Sequence, residues 1–185
     1  PLEAKKLLFS LATPEGIGYP NGDPGNGMKF EFIDVKRAYY QVEARRNLYV
    51  QLPEGDQEDG MRGRLNRGLQ GTRDAAQCWE YEYNKLTKEG GFIRGECSPC
   101  MFYHEQSQMR AVIHGDDFTI LGYEKDLDWF REYMMSKWQI KVKGRLGPCK
   151  HDATTIQILN RIVDWKSDGI HYEADPRHAE LILKA

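Results

Sequence analysis

The stretch from Ala111 to Leu121 constrains this chain more than any other. Ala111-Val112-Ile113 and Phe118-Thr119-Ile120-Leu121 are short apolar runs, and between them stand His114, Gly115, Asp116 and Asp117. Two strand-like runs around a glycine and two aspartates predict a β-hairpin with the Asp pair at its tip. Adjacent like charges repel, and a fold gains nothing from pinning both on one rigid turn. A divalent cation removes that penalty, because hard cations take several carboxylate oxygens. Gly and Asp are also ordinary turn residues, so the tip alone does not define a site. A third carboxylate, Asp34, adds weight. Lys29 to Val35 alternates polar and apolar side chains, reads as a strand, and delivers Asp34 at its end.

The remaining elements follow from period and punctuation. Pro1 to Ala12 reads as a helix with Leu7, Leu8 and Leu11 on one face, ended by Thr13-Pro14. Residues 14–27, rich in Gly, Pro, Asn and Asp, form a loop. A short turn or helix through Ala38, Tyr39 and Tyr40 precedes a strand over Leu48–Leu52. Ala75, Ala76, Trp79, Tyr83 and Leu86 recur at helical spacing up to Gly90-Gly91, and the Trp79–Tyr83 stripe reads as core. Strands over Cys100–His104 and Met109–Ile113 enter the Asp-Asp turn, and Phe118–Gly122 leaves it. A helix over Lys125–Trp138 presents Leu127, Phe130 and Met134 inward, and Gln139–Lys143 is strand-like. Thr155–Trp165 and Ile170–Tyr172 flank Asp168-Gly169, a two-residue hairpin signal, and Asp175-Pro176 caps a last helix. The fold class is α+β, an antiparallel sheet backed by helices.

Charge narrows the options. The chain of 185 residues carries 28 acidic and 26 basic side chains, for a net charge of -2, so bulk charge gives no support to nucleic-acid binding. Any such surface is a local patch, and Arg62, Arg64, Arg67 and Arg73 form one before the first acid at Asp74. No apolar run approaches the roughly 18 residues of a membrane span, and the opening residues lack the order of a signal peptide. A chain that opens on Pro reads as a piece of something longer. Cys97 and Cys100 have metal-like spacing, with Cys149 and His151 as an imaginable second pair. Cysteine in a strand-like run is more often a small buried hydrophobe, so a reduced, intracellular thiol set is the preferred reading.

Three carboxylates gathered at one sheet end would hold two Mg²⁺ ions about 3.5–4 Å apart, one activating an attacking hydroxyl and one neutralising a leaving pyrophosphate. Mn²⁺ is a possible substitute. Such chemistry needs no nucleophilic side chain, since positioning and electrostatics supply most phosphoryl-transfer catalysis.

Several motifs then line up. Phe32-Ile33-Asp34-Val35-Lys36-Arg37-Ala38-Tyr39 carries an Asp followed five residues on by an aromatic. Leu48-Tyr49-Val50-Gln51-Leu52-Pro53-Glu54-Gly55, Leu69-Gln70-Gly71-Thr72-Arg73-Asp74-Ala75-Ala76-Gln77-Cys78-Trp79, Ser98-Pro99-Cys100-Met101-Phe102, His114-Gly115-Asp116-Asp117 and Leu146-Gly147-Pro148 follow in order. Together they resemble the reverse transcriptase domain of copia-type LTR retrotransposons, with its "IYMxxPEG", "LYGLKQAPRAW", "DPCLF", Tyr-Val-Asp-Asp and "LGP" segments. The resemblance implies a polymerase palm with partial fingers over residues 1–148, and a palm-to-thumb connection over 149–185 with a hairpin and a truncated helix. It implies an RNA-directed DNA polymerase acting on a primed RNA or DNA template and dNTPs, without membrane attachment, in cytoplasmic particles. RNase H, integrase and protease modules of a Pol polyprotein are absent from this chain.

By the same resemblance Asp34 and Asp116 ligate both metals with help from the Val35 carbonyl, and Asp117 completes the cluster. Tyr39 stands as a steric gate against a 2′-hydroxyl. Gln70 and Arg73 contact nucleotide or template, and Leu159-Asn160 falls at the primer grip. The chain departs from the family at His114, Gly115, Ala76 and Asn160. The alternatives are a catalytically inactive copy that retains a nucleic-acid-binding fold, and a two-metal nuclease of the RNase H type, which disfavours adjacent carboxylates on one hairpin tip.

Overall fold

The computed structural model describes residues 2–20, 22–174 and 176–183. Its centre is a six-stranded antiparallel sheet built from β1 (Lys29–Val35), β4 (Ile93–Arg94), β5 (Met101–His104), β6 (Met109–His114), β7 (Asp117–Gly122) and β8 (Ile140–Leu146). The order across it is β4-β5-β6-β7-β1-β8. A second sheet of three strands holds β9 (Thr155–Ile158), β10 (Arg161–Lys166) and β11 (Gly169–Ala174), and β2 (Tyr49–Val50) pairs with β3 (Gly63–Arg64). Among the described residues there are also five α-helices: α1 (Leu2–Ala12), α2 (Ala38–Gln41), α3 (Ala75–Glu89), α4 (Glu124–Met135) and α5 (Pro176–Leu183). The α+β class read from the sequence holds.

Both faces of the large sheet are covered, and strand alternation sorts the side chains between them. Ile33 and Val35 of β1 join Ala111, Ile113, Phe118 and Ile120 under α3 and α4, which contribute Trp79, Tyr83, Leu86, Leu127, Phe130 and Met134. Phe30 and Phe32 point the other way. They meet Leu8, Phe9 and Ala12 of α1 together with Ile156, Ile158 and Val163 of the small sheet. Asp34 shares its alternation with Phe30 and Phe32, and so belongs to the α1 side at the sheet's end.

The structure corrects several local expectations. On α1 the buried stripe is Ala4, Lys5, Leu8, Phe9 and Ala12, whereas Leu7 is 49% exposed. Phe9 sets that rotation by packing edge-on against Phe30 and beside Tyr172. The expected strand at 48–52 shrinks to two residues, and β8 runs on to Leu146. The run Thr155–Trp165, expected as one flank of the Asp168-Gly169 hairpin, is itself split by a turn at Leu159 and Asn160, both with positive φ, between β9 and β10. The next turn is Ser167-Asp168, because Lys166 pairs with Gly169. Residues 1 and 175, where a helix start and a helix cap were expected, lie outside the described residues.

Two charges are buried on the central strand, which alternation alone reads as solvent-facing positions. Glu31 pairs with Arg131 of α4 and, at 3.1 Å, with Arg145, its neighbour on β8. Lys29 reaches Asp152 at 3.1 Å and Glu124 at 3.3 Å. Burial by itself would depress the Lys29 pKa, but its bonds to Asp152 and Glu124 outweigh that and raise it. These pairs bind α4 and the 147–152 loop to β1. Removing one partner of a buried pair strands the other charge. Glu31→Ala should therefore lower stability by about 2–3 kcal/mol in a urea melt, while a change at an exposed position such as Glu58→Ala should leave it within about 0.5 kcal/mol.

Candidate active site

The carboxylates from the early strand and the later hairpin meet at one end of the large sheet. Asp34 and Asp117 are direct cross-strand partners in the β1–β7 ladder. Side chains directly opposite in an antiparallel pair lie on the same face about 4.5–5.5 Å apart at Cβ. His114 pairs with Asp117, so the turn proper is Gly115-Asp116, and Gly115 takes the left-handed conformation (φ 62) that this tight reversal requires. Asp117 is thus the first residue of β7 and not part of the loop. Asp116 is stitched to the same place through its backbone, its carbonyl accepting the Val35 N–H at 2.9 Å. The turn is also held from below. The Trp79 indole N–H, rising from α3 out of the core, donates to the Gly115 carbonyl at 2.7 Å.

A lysine stands between the paired aspartates. Lys143 Nζ lies 2.5 Å from Asp117 Oδ1 and 3.4 Å from Asp34 Oδ1. Burial works to depress its pKa, but the bond to Asp117 and the charges of Asp117 and Asp34 prevail and raise it. Backbone irregularity explains how it gets there. On β8 Val142 pairs with Ile33 and Gly144 with Phe32, which leaves Lys143 as the extra residue of a β-bulge. Bulges re-aim side chains. Gly144, at φ 157, lets the bulge settle against Ile156, which a Cβ there would meet at 2.9 Å. Lys5 of α1 is a second lysine that feels the charge of Asp117. It is buried, its amine makes no hydrogen bond among the described residues, and burial pushes its pKa down against the pull of Asp117.

The surrounding segments carry the other residues singled out in the sequence. Tyr39 is half-buried on α2, immediately after β1. Gly68 packs onto the Tyr39 carbonyl, where a Cβ would come within 2.4 Å, so the loop leading to Gln70 and Arg73 rests on that helix. Gln70 and Arg73 are exposed, as are Arg62, Arg64 and Arg67, and the basic patch is therefore a surface feature. Leu159 and Asn160 form an exposed hairpin tip on the α1 side, with no hydrogen bond or ion pair to the three aspartates among the described residues.

Nothing in the residue pattern points to Lys143 or to the Trp79 bond to the turn, although an isolated glycine within a strand-like run is a bulge signal. Among the described residues, Cys149, His151 and Asp152 bring their ligand atoms within 4.8 Å of one another. Cys97 and Cys100 do not join them, and all four cysteines are free. The cation this cluster faces is Lys29, whose Nζ is 3.2 Å from the His151 ring. The three aspartates do not close to such a spacing as a trio.

Comparison with known proteins settles the family. Residues 25–156, which contain Asp34, Tyr39, the Gly115-Asp116-Asp117 turn and Lys143, match the family model described as "Reverse transcriptase (RNA-dependent DNA polymerase)". The chain belongs to that reverse transcriptase family. Within it, the copia-type resemblance is supported by a match to the retrovirus-related Pol polyprotein from transposon TNT 1-94 of Nicotiana tabacum. The two are 26% identical over 106 residues, which cover 54% of this chain and 8% of the tobacco polyprotein. The reverse transcriptase match takes in the large sheet and both of the helices that back its core, α3 and α4. No helix among the described residues is long and apolar enough to cross a membrane.

Proposed function

We propose that this chain is the palm of a retrotransposon RNA-directed DNA polymerase, with partial fingers and the start of a thumb, which extends a primer 3′ end with dNTPs on an RNA or DNA template. The single observation that carries the reading is the adjacency of Asp34 and Asp117 across β1 and β7, with Asp116 tied by its backbone to Val35. The donor set suits Mg²⁺, since carboxylate oxygens and a backbone carbonyl are hard ligands. The Lys143 ammonium, in contact with both Asp34 and Asp117, supports a cation position shared by the pair. Asp34, Asp116, Asp117 and the Val35 carbonyl would hold the metal ions, with Mn²⁺ a substitute. Bound there, such ions neutralise phosphate charge and make a primer hydroxyl a better nucleophile.

The chain's own residues would position the substrates. Tyr39, on the short helix that follows the strand carrying Asp34, would sit against the sugar and reject a 2′-hydroxyl by contact. Arg73 and Gln70, exposed on the loop that rests on α2, would meet triphosphate or template, and Arg62, Arg64 and Arg67 would extend the phosphate-binding surface. The Leu159-Asn160 tip would bear on the primer. Asn tolerates the left-handed backbone observed there, so the turn survives without glycine. Residues 1–148 would form the palm and partial fingers, and 149–185 the link to the thumb. The remaining Pol modules would lie elsewhere in the polyprotein.

Primer extension tests the reading. A polypeptide that carries this chain with its flanking fingers and thumb should incorporate dNTPs on a primed RNA in the presence of Mg²⁺ or Mn²⁺, and no incorporation with either ion would overturn it. Tyr39→Ala should raise the use of ribonucleotides relative to deoxynucleotides by about tenfold or more, read by running the two pools in competition. An unchanged ratio would remove Tyr39 from the gate.

A further inference from the structure

Lys143, which contacts the Asp34–Asp117 pair, is the residue by which β8 exceeds β1 opposite it. The regular register puts Lys141 across from Asp34, and the bulge then turns the next lysine onto both carboxylates. The contact joins groups that are each less than a third exposed, so solvent screens it only in part. A cation arriving between Asp34 and Asp117 meets a position where an ammonium already stands 2.5 Å from one carboxylate oxygen.

We propose that Lys143 is a built-in competitor for the cation position between Asp34 and Asp117, and that its displacement sets the concentration at which a divalent ion loads the site. The inference rests on Asp34 and Asp117 being metal ligands, and goes beyond that by assigning the metal-free state its own counter-ion. Its physical basis is exclusion. The carboxylate oxygens that Lys143 holds, Asp117 Oδ1 and Asp34 Oδ1, cannot turn the same lone pairs to a metal ion, so an ion bound between the two aspartates displaces the Lys143 contacts. The lysine also relieves the Asp34–Asp117 repulsion, which keeps the site formed until metal and substrate arrive together.

The test is Mn²⁺ binding to the 185-residue chain, without nucleic acid or nucleotide, followed through the electron paramagnetic resonance of free Mn²⁺. Lys143→Met and Lys143→Gln should each bind Mn²⁺ at least about fivefold more tightly than the wild type. Lys143→Arg keeps a cation and should bind no more tightly. The gain should vanish when Asp34→Asn is added. Neutral variants that bind no more tightly, while Asp34→Asn still abolishes binding, would overturn the competitor role and leave the metal site standing. Binding that is absent or indifferent to Asp34→Asn would remove the metal site, and this inference with it. A readout on the unaltered chain guards against a misfolded variant. The Lys143 side-chain ¹⁵N resonance should shift as Mg²⁺ saturates the protein, and an unmoved resonance overturns displacement.

Discussion

Asp116→Asn is expected to lower nucleotide incorporation on a primed RNA template by about a thousandfold or more, with little change in thermal stability. The substitution keeps size and shape and removes one negative charge from the turn. Asp116 contributes its carbonyl, not its carboxylate, to the hydrogen bond from Val35, so the link between the turn and β1 survives. The left-handed conformation at Gly115 and the Trp79 bond to the Gly115 carbonyl are also untouched. A fall in rate without a fall in melting temperature would thus report chemistry rather than folding. Incorporation at the wild-type rate would exclude Asp116 from the site, and a parallel collapse of stability would make it a structural residue.

Trp79→Ala should be the most damaging single change to the fold, costing about 3–5 kcal/mol in a denaturant melt. The indole is almost fully buried and lies against Tyr83, Phe118 and Trp138, the last with ring centroids 4.6 Å apart. It also carries the bond that fixes the Gly115 carbonyl. Trp79→Phe separates these two roles. It keeps most of the apolar contact but has no N–H, so the stability loss should be smaller, about 1–3 kcal/mol. The aspartate turn would lose its tether to α3. Incorporation by Trp79→Phe should then fall further than its stability predicts, measured as kcat at a temperature where the variant is fully folded. Activity that tracks stability alone would mean that the tether does not position the turn.

Much of the site was legible because its signals are local. A β-hairpin announces itself through two apolar runs and a Gly-Asp turn, and β1 through alternation, so Asp34, Asp116 and Asp117 could be named from the residues alone. Ordered motifs then connected them to one family. The inward faces of α3 and α4 were also readable, since Trp79, Tyr83, Leu86, Leu127, Phe130 and Met134 repeat at helical spacing. On α1 the same method found Leu8 and Leu11, which pack inward, but misplaced Leu7, which is exposed, and passed over Lys5 and Phe9. Three leucines outweighed a lysine in the pattern, while the packing of Phe9 against Phe30 decided which side faces inward.

Sequence by itself determined the α+β class, the strand and hairpin that carry the aspartates, and the family, because propensity, turn chemistry and motif order act over a few residues. Tertiary structure alone decided that Asp34 lies opposite Asp117, that a bulge swings Lys143 between them, and that Lys29 and Glu31 are buried with partners from α4 and from the strand and loop after it. Each of these brings together groups far apart along the chain, from Asp117 and Lys143, 26 positions apart, to Lys29 and Asp152, 123 positions apart. Their pairing energy comes from register and desolvation, neither of which leaves a mark on the neighbouring residues.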